Sequence, residues 1–324
     1  MGGREHDDAG FLQAVVGDGR PLLLCTAAAL FFSGGFAAFL AASRELLPHD
    51  VRHLGMTAAD LCRLRSCRIL DFMVHDRAAF GGALLGLAVL YAWLTVFPLS
   101  RHEQWAWWTW LLSGTAGFAT FLAYLGYGYL DTWHGVGTLF LLPVFVVGMV
   151  RSRRLVEPLD VRAAFRGGGP GRLSGRAEWG QIVLLGGATA TAIAGLAILR
   201  IGVTDTFVPE DLEFIGLSAS ELRAINPRLV PLIAHDRAGF GGGVFVLGLT
   251  TFLCLWCGRP SRHLRQAVAS AGLLSLAAAV GVHLTVGYTD TWHLVPPVVA
   301  AALLVTGLTL WRVQSDPGWQ VGHQ

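Results

Sequence analysis

Eight apolar blocks of about 20 residues divide this chain, at roughly 21–43, 79–99, 105–127, 132–150, 179–201, 238–257, 265–287 and 292–311. Their apolar residues run on without the 3.6- or 2-residue alternation of a half-buried element. A helix of ~20 residues, at 1.5 Å per residue, spans the ~30 Å hydrocarbon core of a bilayer. Only 14% of the 324 residues are charged and 53% are hydrophobic, whereas a soluble domain carries about a quarter charged. The expected fold is an all-α integral membrane protein with about eight transmembrane helices, placed as a multi-pass protein in the cell membrane. The formal net charge of +2 leaves no extended basic surface for nucleic acid. The first twenty residues mix acids and bases and hold no short apolar stretch before a small-residue cleavage site, so no cleavable signal peptide is expected.

The blocks fall into a direct repeat. LLPHDVRHLGMTAADLCRL (46–64) matches FVPEDLEFIGLSASELRAI (207–225), VHDRAAFGG (74–82) matches AHDRAGFGG (234–242), and GYLDTWH (128–134) matches GYTDTWH (287–293). Self-similarity at a nearly constant offset sets the architecture. It predicts an N-terminal segment 1–20, a first four-helix repeat 21–150, an Arg/Gly-rich linker 151–178, a second repeat 179–312 and a tail 313–324. An even number of spans per unit gives both copies the same orientation, related by an axis along the membrane normal. The linker carries Arg151, Arg153, Arg154, Arg162, Arg166, Arg172 and Arg176, which places it and both termini in the cytoplasm. HDR and DTWH then sit at the outer entrances to spans 2 and 6 and to spans 4 and 8. Ser218 with Glu221, and Thr57 with Asp60, read as capping boxes of a short helix in each covering loop.

Ionisable groups at membrane depth are costly and usually functional. Two imidazoles and two carboxylates on neighbouring helices suit Zn, Fe or Mn: His75, Asp76, Asp131 and His134 in the first copy, and His235, Asp236, Asp290 and His293 in the second. Without a cofactor, Asp76, Asp131, Asp236, Asp290, Glu210, Asp211 and His283 are the candidates for acid–base work. Tyr129, Trp133, Tyr288, Trp292, Arg77 and Arg237 are candidates for holding substrate. In a structural alternative, Asp76, Asp131 and Arg77 pair to lock helix ends, Asp131 and Asp290 are N-caps, and the Trp residues are interfacial anchors. The copies differ at three places: His49 against Glu210, His53 against Phe214, and Tyr124 against His283. Asp50, beside His49, matches Asp211.

Trp105, Trp107, Trp108 and Trp110 read as an interfacial belt. Gly81, Gly82, Gly241 and Gly242 read as helix-packing sites. Cys62 and Cys67 suit a local disulfide, and Cys254 and Cys257 read as buried thiols. No glycine-rich phosphate loop, G-x-S-x-G elbow or haem-attachment motif occurs. These features suggest a membrane enzyme acting on a lipid-like or isoprenoid-like substrate. It would use a divalent metal (Zn or Fe) or, with no cofactor, a buried Asp as proton donor, as in a protonation-initiated terpene cyclase. The alternatives are a multi-pass transporter with an Asp/His coupling site and a structural or sensory protein with ion pairs only. The partner expected throughout is a membrane lipid or hydrophobic small molecule.

Overall fold

The computed structural model describes residues 16–120, 122–123, 129, 132–166, 168–170 and 174–311, and of Trp133 the backbone only. The described residues form helices joined by turns: α1 (Arg20–Ser43), α2 (Pro48–Leu54), α3 (Ala58–Arg63), α4 (Arg68–Val96), α5 (Gln104–Thr120), α6 (Thr132–Ser152), α7 (Val161–Phe165), α8 (Arg176–Val203), α9 (Pro209–Ile215), α10 (Ala219–Ile225), α11 (Leu229–Cys257), α12 (Arg262–Val286) and α13 (Thr291–Leu310). Seven of them (α1, α4, α6, α8, α11, α12 and α13) are long and apolar enough to cross a membrane. The third expected span appears as the shorter α5, and most of its expected continuation to 127 lies outside the described residues. Pro143 in α6 and Pro296 and Pro297 in α13 leave those helices continuous.

α4 and α11 form the centre. Their most apolar stretches are 67% and 61% buried, while no other long helix exceeds 28%. A helix that is apolar on every side belongs inside a bundle. The outer helices instead present large apolar side chains outward, among them Phe32, Phe39, Leu139, Phe140, Ile193 and Leu273, as lipid-facing surfaces do. α1 packs on α4 and α8 packs on α11. α4 also packs on α12, and α11 on α5, so the third helix of each sequence copy lies against the central helix of the other.

Glycine lets these helices approach. A Cβ at Gly81 would lie 2.8 Å from the Gly34 carbonyl oxygen, and one at Gly241 would overlap the backbone nitrogen of Leu199. Gly241→Ala is expected to destabilise the protein by about 1–3 kcal/mol through this overlap. Gly186, in the same α8–α11 pair, has open space around it, and Gly186→Ala should be neutral or stabilising by up to about 1 kcal/mol. Thermal unfolding in detergent distinguishes the two.

Several expectations change in place. α4 and α11 start well before residues 79 and 238, so HDR is not a loop signature at a span entrance. It lies within each helix, about two turns (~10 Å) past the start in α4. Each covering loop carries two short helices, not one, and both capping boxes form: Thr57 with Asp60, and Ser218 with Glu221. Three of the four tryptophans expected in a belt are core residues, and Trp108 is half-buried. Trp105, Trp107 and Trp110 are buried in the core. Trp110 stacks on Tyr91 with ring centres 3.8 Å apart and donates to Thr95 Oγ1, and Trp107 donates to the Met149 carbonyl. A buried indole needs an acceptor for its N–H, and these two have one. Cys62 and Cys67 are joined as a disulfide, and Cys254 and Cys257 are buried.

Candidate functional site

The short helices place carboxylates over the bundle. Pro48 and Pro209 occupy the first turns of α2 and α9, a position where the missing N–H costs nothing. Two residues on, Asp50 and Asp211 accept from the backbone N–H groups of Leu47 and Val208, at 3.3 and 2.7 Å. Their carboxylates also reach down to the arginines of HDR.

Those arginines pair across the two copies. Arg77 donates to Asp50 at 2.8 Å and to Asp236 at 2.8 Å. Arg237 donates to Asp211 through both terminal nitrogens, and its Nε lies 3.3 Å from Asp76. Each guanidinium therefore joins the loop carboxylate of its own copy to the HDR carboxylate of the other. The covering loops are clamped the same way. Arg68 donates to the Phe214 carbonyl at 3.1 Å, and Arg228 to the His53 carbonyl at 2.8 Å.

Tyrosines complete each half of the cluster. Tyr129 donates to Asp50, and Tyr288 to Asp211 at 2.7 Å. His53 packs on the Tyr129 ring and Phe214 on the Tyr288 ring, with centres 4.3 and 4.5 Å apart, so the 53/214 difference leaves ring packing intact. Tyr129 and His134 face His235 from the other copy, each with ring centres 5.2 Å apart. His75 faces Tyr288 at 5.5 Å.

Four buried or nearly buried carboxylates (Asp50, Asp76, Asp211, Asp236) thus share two guanidiniums. Unbalanced charge in a low-dielectric interior is costly, so protons on neighbouring groups have to offset it. Burial opposes ionisation of Asp211, but the hydrogen bond with His293 and the Arg237 guanidinium outweigh it and hold the carboxyl well below the usual range. Burial, reinforced by Asp211, pushes the Tyr288 phenol far above its ordinary value. Burial and then the charge of Arg228 lower His53.

One contact fixes where a proton sits. His283 Nδ1 lies 2.6 Å from the Ala279 carbonyl oxygen, which can only accept, so that nitrogen carries hydrogen. His75 Nδ1 faces Asp76 at 3.0 Å. The two Nε2 atoms meet at 3.1 Å. Two neutral rings with these tautomers would set lone pair against lone pair. A hydrogen bond there needs one proton more than two neutral imidazoles and an ionised Asp76 hold. A chain of polar contacts approaches the same place from the surface. The half-exposed Asp290 lies 3.4 Å from His293, whose Nε2 is 3.0 Å from the Tyr288 hydroxyl, and Tyr288 meets Asp211.

Other candidates stand apart. Asp290 caps α13, accepting from the Trp292 N–H, as the structural alternative expected. Trp292 points outward, 76% exposed. Glu210 is half-buried and, among the described residues, forms no ion pair, while its neighbour Asp211 is buried in the cluster. Asp131, Tyr124 and the Trp133 side chain lie outside the described residues. Within the expected sets, His75 lies 3.0 Å from Asp76, His235 3.3 Å from Asp236 and His293 3.4 Å from Asp290, while the His134 ring packs against His235 of the other copy. Among the described residues no group of three or more His, Cys, Asp or Glu side chains stands in place to hold a metal ion, and guanidiniums take carboxylate oxygens that a cation would need.

The chain matches no protein-family model, no curated protein and no solved structure.

Proposed function

We propose that two tandem four-helix halves, eight spans in all, jointly build an acid–base centre that acts on a lipid-like or isoprenoid-like substrate without a resident metal. The observation behind this reading is the contact between the Nε2 atoms of His75 and His283, 3.1 Å apart and beside Asp76. The Asp290–His293–Tyr288–Asp211 chain supports it by bringing polar groups from the surface to a ring contact with His75, 5.5 Å from Tyr288. A group that donates a proton in the transition state contributes about 10²–10⁴ in rate. A carboxylic acid or an imidazolium can protonate a double bond, and the conjugate base left behind can accept a proton from the resulting cation, which conserves the proton overall. In this reading the loops lie outside, where the Cys62–Cys67 disulfide forms in an oxidising compartment, and the termini are cytoplasmic.

The second reading is proton-coupled transport, favoured by ion pairs that join the two halves and would have to exchange partners as the halves move. One comparison separates the two. Total lipid extracts from cells expressing the wild type, Asp211→Asn or His283→Tyr are compared by mass spectrometry. The enzyme reading predicts an amphiphile formed or consumed with the wild type alone. Unchanged lipids together with proton flux into pyranine-loaded proteoliposomes would replace it with transport. Unchanged lipids and no flux would leave an ion-paired scaffold. Stoichiometric metal in the purified wild type, lost on mutation of Asp131, would replace the metal-free version with the metal-dependent one.

A further inference from the structure

At the far end of α4, ~25 Å from the ion-pair cluster at 1.5 Å per residue, an open surface groove of about 310 Å³ runs between α4 and the start of α12. Its walls include Val89, Ala92 and Val96 on one side and Gln266 and Ser270 on the other. His263 stands at its mouth, stacked on Phe97 with ring centres 4.3 Å apart. Trp93 Nε1 donates to His263 Nδ1 at 2.9 Å. An indole nitrogen can only donate, so His263 Nδ1 is the acceptor and, in the neutral ring, Nε2 carries the hydrogen. Nε2 points at Arg101 Nη2, 3.5 Å away. A guanidinium has no acceptor, so these two N–H donors lie side by side at the groove, and an acceptor oxygen next to them would serve both.

We propose that this space takes a phosphate oxygen of an anionic phospholipid, with an acyl chain lying along the Val89–Val96 wall. Three further observations support an anion. The mouth is the N-terminal turn of α12, where Ser261 caps the Leu264 N–H and the helix dipole favours negative charge. Arg259 and Arg262 are exposed beside it. Among the described residues, Arg101, Arg259, Arg262 and Arg265 form no ion pair. Glu103, the nearby acid, accepts from Trp105 at 2.6 Å. Basic pockets between membrane helices are where anionic headgroups bind. The site does not depend on the acid–base reading, because it shares no residue with that cluster.

The test is native mass spectrometry of the purified full chain titrated with phosphatidylglycerol or with phosphatidylcholine of the same acyl chains. Inorganic phosphate serves as competitor. The wild type should bind phosphatidylglycerol about tenfold more tightly. Arg101→Gln and His263→Phe should abolish that preference, the second while keeping a ring on Phe97. Arg101 is exposed, so its variant should unfold at the wild-type temperature, and it decides the matter alone if His263→Phe folds poorly. Equal binding of the two lipids to the wild type, or a preference kept in Arg101→Gln, would overturn the proposal. Displacement of phosphatidylglycerol by millimolar phosphate would reassign the site to a free anion.

Discussion

Arg237→Met should destabilise the folded protein by about 3–5 kcal/mol, the usual result of removing one partner from a buried ion pair. The loss arises from what remains. Asp211 and Asp76 would stay in place without their shared guanidinium, and an uncompensated buried charge is far more costly than a missing contact. The cation–π contact of Arg237 over Phe72, at 4.7 Å, would go as well. Arg223→Met, at an exposed position on α10, is the control and should stay within about 0.5 kcal/mol of wild type. Reversible unfolding in mixed micelles measures both. Equal stability of the two variants would mean that Arg237 is not buried against these carboxylates.

His283→Tyr has the second large effect. It installs at 283 the residue that the first copy carries at its matched position, Tyr124. A phenol can donate to the lone pair of His75 Nε2, so the variant keeps a hydrogen bond but no longer needs the additional proton. ¹⁵N NMR of histidine-labelled protein in bilayers should show one ring of the His75–His283 pair with hydrogen on both nitrogens in the wild type, and His75 with hydrogen on Nδ1 alone in the variant. If the proposed acid–base role holds, turnover should fall by about 10²–10⁴ while the fold survives. One protonated nitrogen on each of His75 and His283 in the wild type, beside an ionised Asp76, would remove the basis for a stored proton.

Much of the architecture was legible in the chain because membrane insertion demands long apolar segments, and those are visible without any long-range information. The capping boxes at Thr57 and Ser218 were legible for the same reason: they are local. What the sequence hid was the partner of each polar group. HDR looked like a unit that would close on the DTWH of its own copy. On a helix, however, consecutive residues point about 100° apart, so His75, Asp76 and Arg77 fan out toward different neighbours. His75 reaches α12, while Arg77 reaches both α2 and α11. No spacing rule within one copy can show that Arg77 meets Asp236. One available signal was underused. Asp50 and Asp211 each follow a Pro by two residues at matched positions in otherwise divergent loops, and both prove to anchor the cluster. The tryptophans of α5 misled because belt and core tryptophans share a composition; only the acceptors at Thr95 and Met149 tell them apart.

The central claim is that the two halves build one site by exchanging ion pairs, and a double-mutant cycle on Arg77 and Asp236 tests it most directly. Arg77→Met, Asp236→Asn and the double variant are unfolded reversibly in the same micelles. Direct pairing at 2.8 Å predicts that the double variant is little worse than the worse single variant, a coupling of about 1.5–5 kcal/mol. Costs that simply add, to within about 0.5 kcal/mol, would contradict the exchange and leave two halves that each close on themselves.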